Sequence, residues 1–362
     1  GKGRSDLGPF KMTTGHYSER VYGGGNSPVL EYDRAVIRGA IEYLQQPHER
    51  PVFLLVGTYG PHHTFVAPEK LYRKYLDKIP EPASNSVPEI CGGDIRKCRF
   101  IDANADGKTL TVDPSNASGA RNLGVMQASG GGVLFLNGGG GGIFDNTGGT
   151  IRALDGSEVQ LAASATVVGG TVTTEGTGVV RANASQNVFL QGVTNTGLVV
   201  VENNVDFGLT TAFTNNGTVR VDAGGSASDI ELRDDVTLDG GGRLVFSSTT
   251  TNTSNARVNG VTGTTLTNVD NTLEGHGNIG ANVIGVTTQA GGLIDANVDG
   301  RFLAVDPSNA SGMRNLGVMQ ARGGGVLFLT GNGGGIFDNT GATIRALDGS
   351  EVQLTNNATV VG

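Results

Sequence analysis

A pair of histidines, His62 and His63, stands in the loop 58–68. The loop follows a continuous apolar run at 51–57, which predicts a strand buried on both faces of a parallel sheet. Ligands of open α/β sheets bind at the carboxyl ends of their strands. The spacing therefore predicts a ligand-binding loop, in which His63 either shares the role of His62 or is a solvent-exposed neighbour.

Oxygen-bearing side chains alternate after residue 101 in a pattern that suits a hard cation. The template D-x-N-x-D-G is followed by an aspartate at the twelfth place, and it occurs twice: Asp102, Asn104, Asp106 and Asp113; Asp295, Asn297, Asp299 and Asp306. Calcium loops of the EF-hand type share this spacing, with glycine at the sixth place. Asx turns between short strands share it too. No flanking helices are predicted and the twelfth residue is not glutamate, so we favour the turn and keep Ca²⁺ as the alternative and only candidate cofactor.

The elements that position His62 are predicted to be α/β. Residues 33–44 place Val36, Ile37, Ala40, Ile41 and Leu44 on one helical face, with Asp33 as N-cap. The apolar run 51–57 supplies the strand, and a second helix is predicted over roughly 68–75, with proline in its first turn. Residues 1–90 therefore form one segment, and 91–99 form a junction to a different kind of sequence.

Residues 100–362 contain a long internal repeat. Residues 101–169 recur at 294–362 with 12 differences over 69 positions and no gap. The substitutions are mostly small or polar exchanges, and the apolar alternation is kept. Duplication on this scale indicates a repeat architecture.

Within the repeat, short β-branched runs alternate with Gly, Asn and Asp. Asn146-Thr-Gly, Asn195-Thr-Gly and Asn216-Gly each precede a strand-like run, and the last two lie about one solenoid coil apart. Glycine runs such as 138–142 are interpreted as turns, and His276 as a surface turn residue. We predict a right-handed parallel β-helix, in which each coil buries its neighbour's apolar face. A β-sandwich with Gly-rich loops is the alternative.

Charge and composition exclude some partners. Residues 99–362 carry 13 Lys and Arg against 23 Asp and Glu, a net charge of −10 (13 − 23), and no lysine follows Lys108. Such a surface argues against nucleic acid and anionic membranes, and no apolar run is long enough to span a membrane. Cys91 and Cys98 either close a small disulfide loop or remain thiols, and without a nearby histidine they do not make a zinc site.

Residues 50–82, RPVFLLVGTYGPHHTFVAPEKLYRKYLDKIPEP, resemble the sulfatase family, in particular its choline-sulfatase and iduronate-sulfatase branches. The resemblance implies that His62 contacts the sulfate ester and assists the leaving oxygen, and that Lys2 of Gly1-Lys2 touches sulfate. Family members use a formylglycine from Cys/Ser-x-Pro-x-Arg and a divalent metal held partly by Asp-His-Gly. Both motifs are absent, so we expect residues 1–90 to be a truncated, inactive segment.

The remaining residues resemble bacterial adhesins and autotransporter passengers of the filamentous-haemagglutinin type, on LEGHGNIGANV (273–283), GGLIDAN (291–297) and DNTGGTIRALDGSEVQL (145–161). The resemblance implies a secreted or bacterial cell-surface scaffold, with sulfated or other polysaccharide or cell-surface components as partners. The alternative is a sulfatase whose nucleophile and metal residues lie outside this chain, tethered by the solenoid. A third interpretation is an accidental fusion of two reading frames.

Overall fold

The computed structural model describes residues 22–24, 28–49, 52–58, 65–67, 100–114, 119–139, 141–250, 255–332 and 334–362. The chain divides into two compact units, one holding residues 1–83 and 88–94 and the other holding 84–87 and 95–362. Each unit is described by itself.

The first unit contains one helix and a two-stranded parallel sheet among its described residues. Strand β1 (Tyr22–Gly24) pairs with β2 (Phe65–Ala67), and helix α1 spans Pro28–Leu44. The predicted helix is therefore confirmed, but it begins five residues earlier than expected. Asp33 lies inside it, so its assignment as N-cap was wrong. Proline is accepted in a first turn because the missing N–H has no partner there in any case.

The predicted buried strand at 51–57 is not formed over its described residues, 52–57. Residues 52–58 belong to no strand, and the side chains of Phe53 and Leu55 are 93% and 86% exposed. The apolar face of α1 is covered only in part, since Ile37 is 47% and Leu44 56% exposed, whereas Val36 and Ala40 are half-buried. A parallel strand needs hydrogen-bonded neighbours, and the described part of this unit offers only the three-residue pair β1–β2. The helix predicted at 68–75 lies outside the described residues.

The second unit is a parallel β-solenoid, which confirms this part of the fold prediction. Its described strands, numbered β3 to β36 in chain order, form three parallel sheets, and each strand pairs with the third one before and the third one after it. One coil therefore contains three strands, one in each sheet. The parallel pairing rules out the antiparallel β-sandwich for the described residues of 100–362.

Sheet 1 consists of β3 (Phe100–Ala103), β6 (Val125–Ala128), β9 (Thr150–Ala153), β12 (Thr171–Thr174), β15 (Thr194–Asn195), β18 (Ala212–Asn215), β21 (Val236–Asp239), β24 (Thr265–Asn268), β27 (Gly285–Thr288), β30 (Met313–Asn315), β33 (Ile336–Asp338) and β36 (Thr359–Val361). Sheet 2 consists of β4 (Thr109–Val112), β7 (Val133–Asn137), β10 (Glu158–Ala162), β13 (Val179–Ala182), β16 (Leu198–Val201), β19 (Thr218–Ala223), β22 (Arg243–Ser248), β25 (Thr272–Gly275), β28 (Leu293–Ala296), β31 (Val318–Ala321) and β34 (Thr343–Ala346). Sheet 3 consists of β5 (Ala120–Arg121), β8 (Ile143–Asp145), β11 (Thr166–Val168), β14 (Val188–Gln191), β17 (Asp206–Thr210), β20 (Ser228–Leu232), β23 (Ala256–Gly260), β26 (Gly277–Ile279), β29 (Phe302–Val305), β32 (Val326–Thr330) and β35 (Glu351–Thr355).

Stacked aliphatic side chains form the core. The inward position of sheet 2 holds one aliphatic residue in every strand, in register from coil to coil: Leu110, Leu134, Val159, Val180, Val199, Val219, Leu244, Leu273, Ile294, Met319 and Ile344. The first ten are at most 2% exposed. Strands of two to six residues cannot bury an apolar face alone, so the stacking of coils provides the burial.

Coil length varies although the register is continuous. Partners in sheet 2 are separated by as few as 19 residues (199 − 180) and as many as 29 (272 − 243). The predicted spacing of about one coil between Asn195 and Asn216 is confirmed, since the register partner of Asn195 is the adjacent Asn215, 20 residues along the chain (215 − 195). The extra length is placed at the corners, where loops lengthen without disturbing the strands.

The two copies of the repeat occupy different sheets. Strand β3 begins the first copy in sheet 1, and its counterpart β28 begins the second copy in sheet 2. The same holds for every pair up to β11 in sheet 3 and β36 in sheet 1. The repeat displaces a strand by 25 places (28 − 3), one more than eight coils of three strands. The second copy is therefore turned by one face about the solenoid axis.

Candidate functional surface

The residues assigned by the sulfatase resemblance, His62 and Lys2, lie outside the described residues, as do Cys91 and Cys98. The proposed sulfate contact therefore stays a prediction. The candidate sites that can be described lie on the solenoid.

The first calcium candidate is split between two sheets. Asp102 lies in β3 of sheet 1 and accepts hydrogen bonds from the hydroxyl of Ser129 at 2.8 and 3.0 Å. Asp113 follows β4 of sheet 2 and accepts from the amide of Asn137 at 3.2 Å. Residues 105–107 form a turn, closed by Gly107 at φ +61°. A turn between two strands is therefore present, but it is closed by the backbone N–H of Lys108 donating to the carbonyl oxygen of Ala105, and Asn104 Oδ1 is buried without a hydrogen-bond partner among the described residues. The predicted Asx hydrogen bond from Asn104 is therefore not seen.

In the second calcium candidate Asp295 and Asn297 already have partners from the chain. Asp295 is 1% exposed and accepts from Arg322 Nε at 2.7 Å and from Gln320 Nε2 at 3.2 Å. Asn297 donates to Glu274 at 2.8 Å. A cation at Asp295 would have to compete with a guanidinium that is already paired with this carboxylate.

Asp306, the last of the eight candidates, is a buried carboxyl. It is 5% exposed, accepts from Asn332 at 2.7 Å, and its Oδ1 has no hydrogen-bond partner among the described residues. Burial raises its pKa above the ordinary value, and the amide side chains of Asn332 and Asn278 offset this only in part. In the described part of the chain, no group of three or more His, Cys, Asp or Glu side chains is arranged to hold a metal ion. The calcium interpretation stays a prediction, to be checked by the thermal midpoint before and after chelation.

An outward-facing row recurs in both copies of the repeat and crosses three adjacent strands. We call it the Asp–Gln–Arg row: Asp102, Gln127 and Arg152 on sheet 1; Asp295, Gln320 and Arg345 on sheet 2. In each copy the arginine Nε donates to the glutamine Oε1, at 2.8 Å in the first and 3.0 Å in the second. The carboxylate accepts from Ser129 in the first copy and from its counterpart Arg322 in the second. The hydrogen bond from arginine to glutamine is therefore the same in both copies, whereas the carboxylate has a neutral hydroxyl partner in the first copy and a cationic guanidinium partner in the second.

Two buried carboxylates lie side by side at the second row. Glu274 and Asp295 are register partners and are 3% and 1% exposed. Arg243 pairs with Glu274, and Arg322 pairs with Asp295. Buried charges are tolerated when they are paired and hydrogen-bonded, and removal of one partner is strongly destabilising. The arrangement joins successive coils and leaves neither carboxylate free for acid–base chemistry.

Arg181 joins three coils on sheet 2. Its guanidinium contacts Glu158 at 3.0 Å and Glu202 at 2.9 Å. Burial alone would raise the pKa of Glu158, but hydrogen bonds from Gln160 and Arg181 and the charge of Arg181 outweigh it, so the pKa is lowered. Our sequence reasoning missed this cluster. The signal was available, because the spacings of 23 (181 − 158) and 21 (202 − 181) are coil lengths.

Asparagine amides form ladders inside the corners of the solenoid. In each contact the Nδ2 of the first asparagine donates to the Oδ1 of the second: Asn122 to Asn146 at 2.7 Å, Asn195 to Asn215 at 2.8 Å, Asn215 to Asn271 at 2.9 Å and Asn315 to Asn339 at 2.8 Å. All of these except Asn339 are at most 3% exposed. An amide both donates and accepts, so asparagines one coil apart, or two coils apart for Asn215 and Asn271, satisfy one another.

The interpretation of His276 as a surface turn residue is wrong. It is 4% exposed, and its two ring nitrogens lie 3.1 Å from the backbone oxygens of Phe302 and Thr250. The flanking glycines allow the turn to bring the ring between neighbouring coils. A neutral imidazole can donate to one of these oxygens, whereas the protonated ring can donate to both.

Comparison of the chain with protein-family profiles, curated proteins and solved structures finds no match. Within the described residues there is no helix of sufficient length and apolarity to cross a membrane. The parallel β-solenoid therefore defines the class of the second unit by its geometry alone.

Proposed function

We propose that this chain is a secreted or bacterial cell-surface β-solenoid scaffold of the adhesin type, carrying an incomplete and inactive sulfatase-like segment. The observation that carries the proposal is the stacking of three-strand coils from Phe100 to Val361 in three parallel sheets. Side chains in such a stack contact mainly neighbouring coils, so the fold provides length and surface. We further propose right-handed winding, the hand that parallel crossover connections adopt almost always.

The outer surface supports a binding role rather than a catalytic one. Its charged side chains are aligned in rows, and the buried carboxylates Glu274 and Asp295 are each paired with an arginine. Arg152 and Arg345 stand at equivalent places of the two Asp–Gln–Arg rows, with guanidinium groups suited to sulfate or carboxylate oxygens. We propose sulfated or other polysaccharide, or cell-surface components, as partners.

Retention of the full chain on immobilised sulfated and unsulfated polysaccharides tests this proposal. We expect retention on the sulfated matrix to fall when Arg152→Ala and Arg345→Ala are combined. Arg121→Ala with Arg314→Ala is the matched control, since it removes the same charge at another pair of equivalent positions in the two repeat copies. Loss of retention in both double variants would indicate general charge attraction, and absence of retention in the unmodified chain would contradict the proposed partner.

Small-angle scattering tests the scaffold itself. Eleven coils at about 4.8 Å per strand spacing make a solenoid roughly 50 Å long.

A hydrolysis assay with an aryl sulfate tests the alternative sulfatase function, and clear turnover would overturn the scaffold as the main role.

A further inference from the structure

Two aspartyl-prolyl bonds occur in identical local sequence. Asp113-Pro114 and Asp306-Pro307 each lie in Val-Asp-Pro-Ser-Asn-Ala-Ser-Gly, at equivalent places of the two repeat copies. Proline forms a tertiary amide without an N–H, and its nitrogen becomes a strongly basic secondary amine when the bond breaks. Such a bond is therefore more open to attack by the aspartate side chain than other aspartyl bonds. Any difference in reactivity between the two copies must come from the fold.

The carboxyl of Asp306 is buried, and one of its oxygens is uncommitted. Its Oδ2 accepts from Asn332 at 2.7 Å, whereas Oδ1 has no hydrogen-bond partner among the described residues. The residue is 5% exposed, and burial raises the pKa of the carboxyl, so that the group holds its proton more readily. Asp113 is exposed to solvent. The second copy therefore has an oxygen that is free of both water and protein donors.

The carbonyl group of Asp306 is polarised by the preceding coil. The backbone N–H of Asn282 donates to this carbonyl oxygen at 2.7 Å. A donor at this distance stabilises negative charge that develops on a carbonyl oxygen under attack. Gly280 packs against the same peptide bond, since a Cβ there would lie 2.5 Å from the Asp306 oxygen. No described residue donates a backbone hydrogen bond to the carbonyl oxygen of Asp113.

The bond lies in a corner of the solenoid, between β29 and β30. Strand β29 pairs with β26 and β32 in sheet 3, and β30 pairs with β27 and β33 in sheet 1. A break after Asp306 would therefore leave every one of these strand pairs in place. The products would separate only when the solenoid is denatured.

We propose that the bond between Asp306 and Pro307 is a self-cleavage site, with the side-chain carboxyl of Asp306 as the nucleophile. Oδ1 forms a bond to the carbonyl carbon of its own residue, the C–N bond to Pro307 breaks, and the carboxyl proton goes to the proline nitrogen. Water then opens the cyclic anhydride, so the net reaction is hydrolysis between residues 306 and 307, with water as the only co-reactant. The inference goes beyond the scaffold role and does not rest on it.

The two identical sequences make the unmodified full chain its own control. We incubate the purified chain at mildly acidic pH, folded and in denaturant, and measure the fragments by mass spectrometry under denaturing conditions. In the folded chain we expect cleavage after Asp306 to be at least tenfold faster than cleavage after Asp113. In denaturant we expect equal rates, because the local sequences are the same. Equal rates in the folded chain, or protection of the Asp306-Pro307 bond by folding, would overturn the proposal.

Substitutions separate the nucleophile from the leaving group. Asp306→Asn removes the carboxyl at constant size, and Pro307→Ala keeps the carboxyl but replaces the tertiary amide. We expect each to slow cleavage after residue 306 at least tenfold, in chains whose circular dichroism shows the solenoid intact. Asp113→Asn is the matched control and should leave cleavage after Asp306 unchanged. Undiminished cleavage in Asp306→Asn would show that another agent breaks the bond, and the proposal would fail.

Cleavage in water enriched in heavy oxygen tests the anhydride without any variant. Opening of the anhydride places the label in the α-carboxyl of some Asp306 termini and in the side-chain carboxyl of others. Direct attack by water on the peptide bond labels the α-carboxyl alone. Tandem mass spectrometry of the new C-terminal peptide distinguishes the two. Label confined to the α-carboxyl would rule out the side chain as nucleophile and would overturn the proposal.

Discussion

Buried amides fix the stacking of coils at the level of single residues. Asn215 is fully buried, accepts from Asn195, and donates to Asn271 and to the carbonyl of Arg243. Its neighbour Asn216 is exposed. The two positions differ by one place in the sequence and have opposite environments.

We predict that Asn215→Ala lowers the free energy of unfolding by several kcal/mol, since each buried polar group left without a partner costs about 1–3 kcal/mol. Asn216→Ala should change it by less than about 0.5 kcal/mol, as is usual for surface substitutions. Denaturant unfolding followed by circular dichroism measures both. Equal effects of the two substitutions would contradict a structural role for the ladder.

The buried carboxyl of Asp306 makes the free energy of unfolding depend on pH. Because burial raises its pKa, the folded state favours the protonated form. This contribution is present below the unfolded pKa and is lost as pH rises through the folded pKa. Asp306→Asn keeps a neutral side chain at every pH. We therefore expect its thermal midpoint to match the unmodified chain near pH 3 and to exceed it increasingly toward pH 7.5.

Asp113 is the matched control for this measurement, because it occupies the equivalent place in the first copy and is exposed. Asp113→Asn should show no such growing difference. If Asp306→Asn were instead less stable at pH 7.5 than at pH 3, relative to the unmodified chain, a bound cation at Asp306 would be the better explanation.

Some of this residue-level detail could be read from the sequence. Asparagine before Gly or Thr-Gly indicated stacked turns, because only such residues accept the backbone geometry and also pair with copies of themselves. The difference between Asn215 and Asn216 could not be read, since it depends on a register that the irregular coil lengths conceal. His276 was misassigned because flanking glycines suggest exposure, whereas here they let a ring enter between coils.

At the corners, successive coils approach each other so closely that some positions leave no room for a side chain. Gly170 has φ +67°, and a Cβ there would overlap the backbone oxygen and the side-chain amide of Asn146 in the preceding coil. Gly148 has φ +75° with open space around it. Substitution at Gly148 therefore measures the cost of the backbone conformation alone, and substitution at Gly170 measures that cost together with the cost of overlap between coils.

We predict that Gly148→Ala costs about 1–2 kcal/mol from the positive φ alone. Gly170→Ala should cost that amount plus about 1–3 kcal/mol from forced overlap. Thermal unfolding of the two variants measures the difference. A smaller effect at Gly170 than at Gly148 would mean that the coils separate easily at this corner.

Strands were predictable from alternation, and the turns between them from Gly, Asn and Asp. The failure at 52–58 has a physical cause. An apolar run shows what a strand prefers, but hydrogen bonds and burial must come from neighbouring strands, and the described part of the first unit supplies few. The helix was recognisable from its apolar face, which is only partly covered in the structure.

At the scale of the whole solenoid, stability should be nearly modular. Residues 198–217 make one coil, since Leu198 pairs with Thr218 and Gly197 occupies the place of Gly217. We predict that joining Gly197 to Thr218 gives a folded chain with a slightly lower thermal midpoint, because each coil contacts mainly its neighbours. Circular dichroism and scattering measure retained β-structure and a length shorter by about 4.8 Å.

Deletion of 198–207 is the control, because it removes less sequence but breaks the three-strand cycle. We expect this shorter deletion to abolish cooperative unfolding of the coils that follow. If the two deletions behaved alike, the modular description would be wrong.

The face on which each repeat lies could not be predicted. All three sheets are parallel, and all three bury both aliphatic side chains and phenylalanine, so a given strand sequence fits any of them. Local sequence decides where strands and turns occur, whereas the number of preceding strands decides the sheet. That number could not be counted from irregular spacing.

The offset of one strand per repeat moves each new copy of the 193-residue block to the next sheet. A third copy would place its outward-facing residues on the sheet that the first two copies do not use, and a fourth would return to the first sheet 25 coils further along. Repeated duplication would thus distribute the same surface residues evenly over the three faces of the solenoid, with no new sequence required.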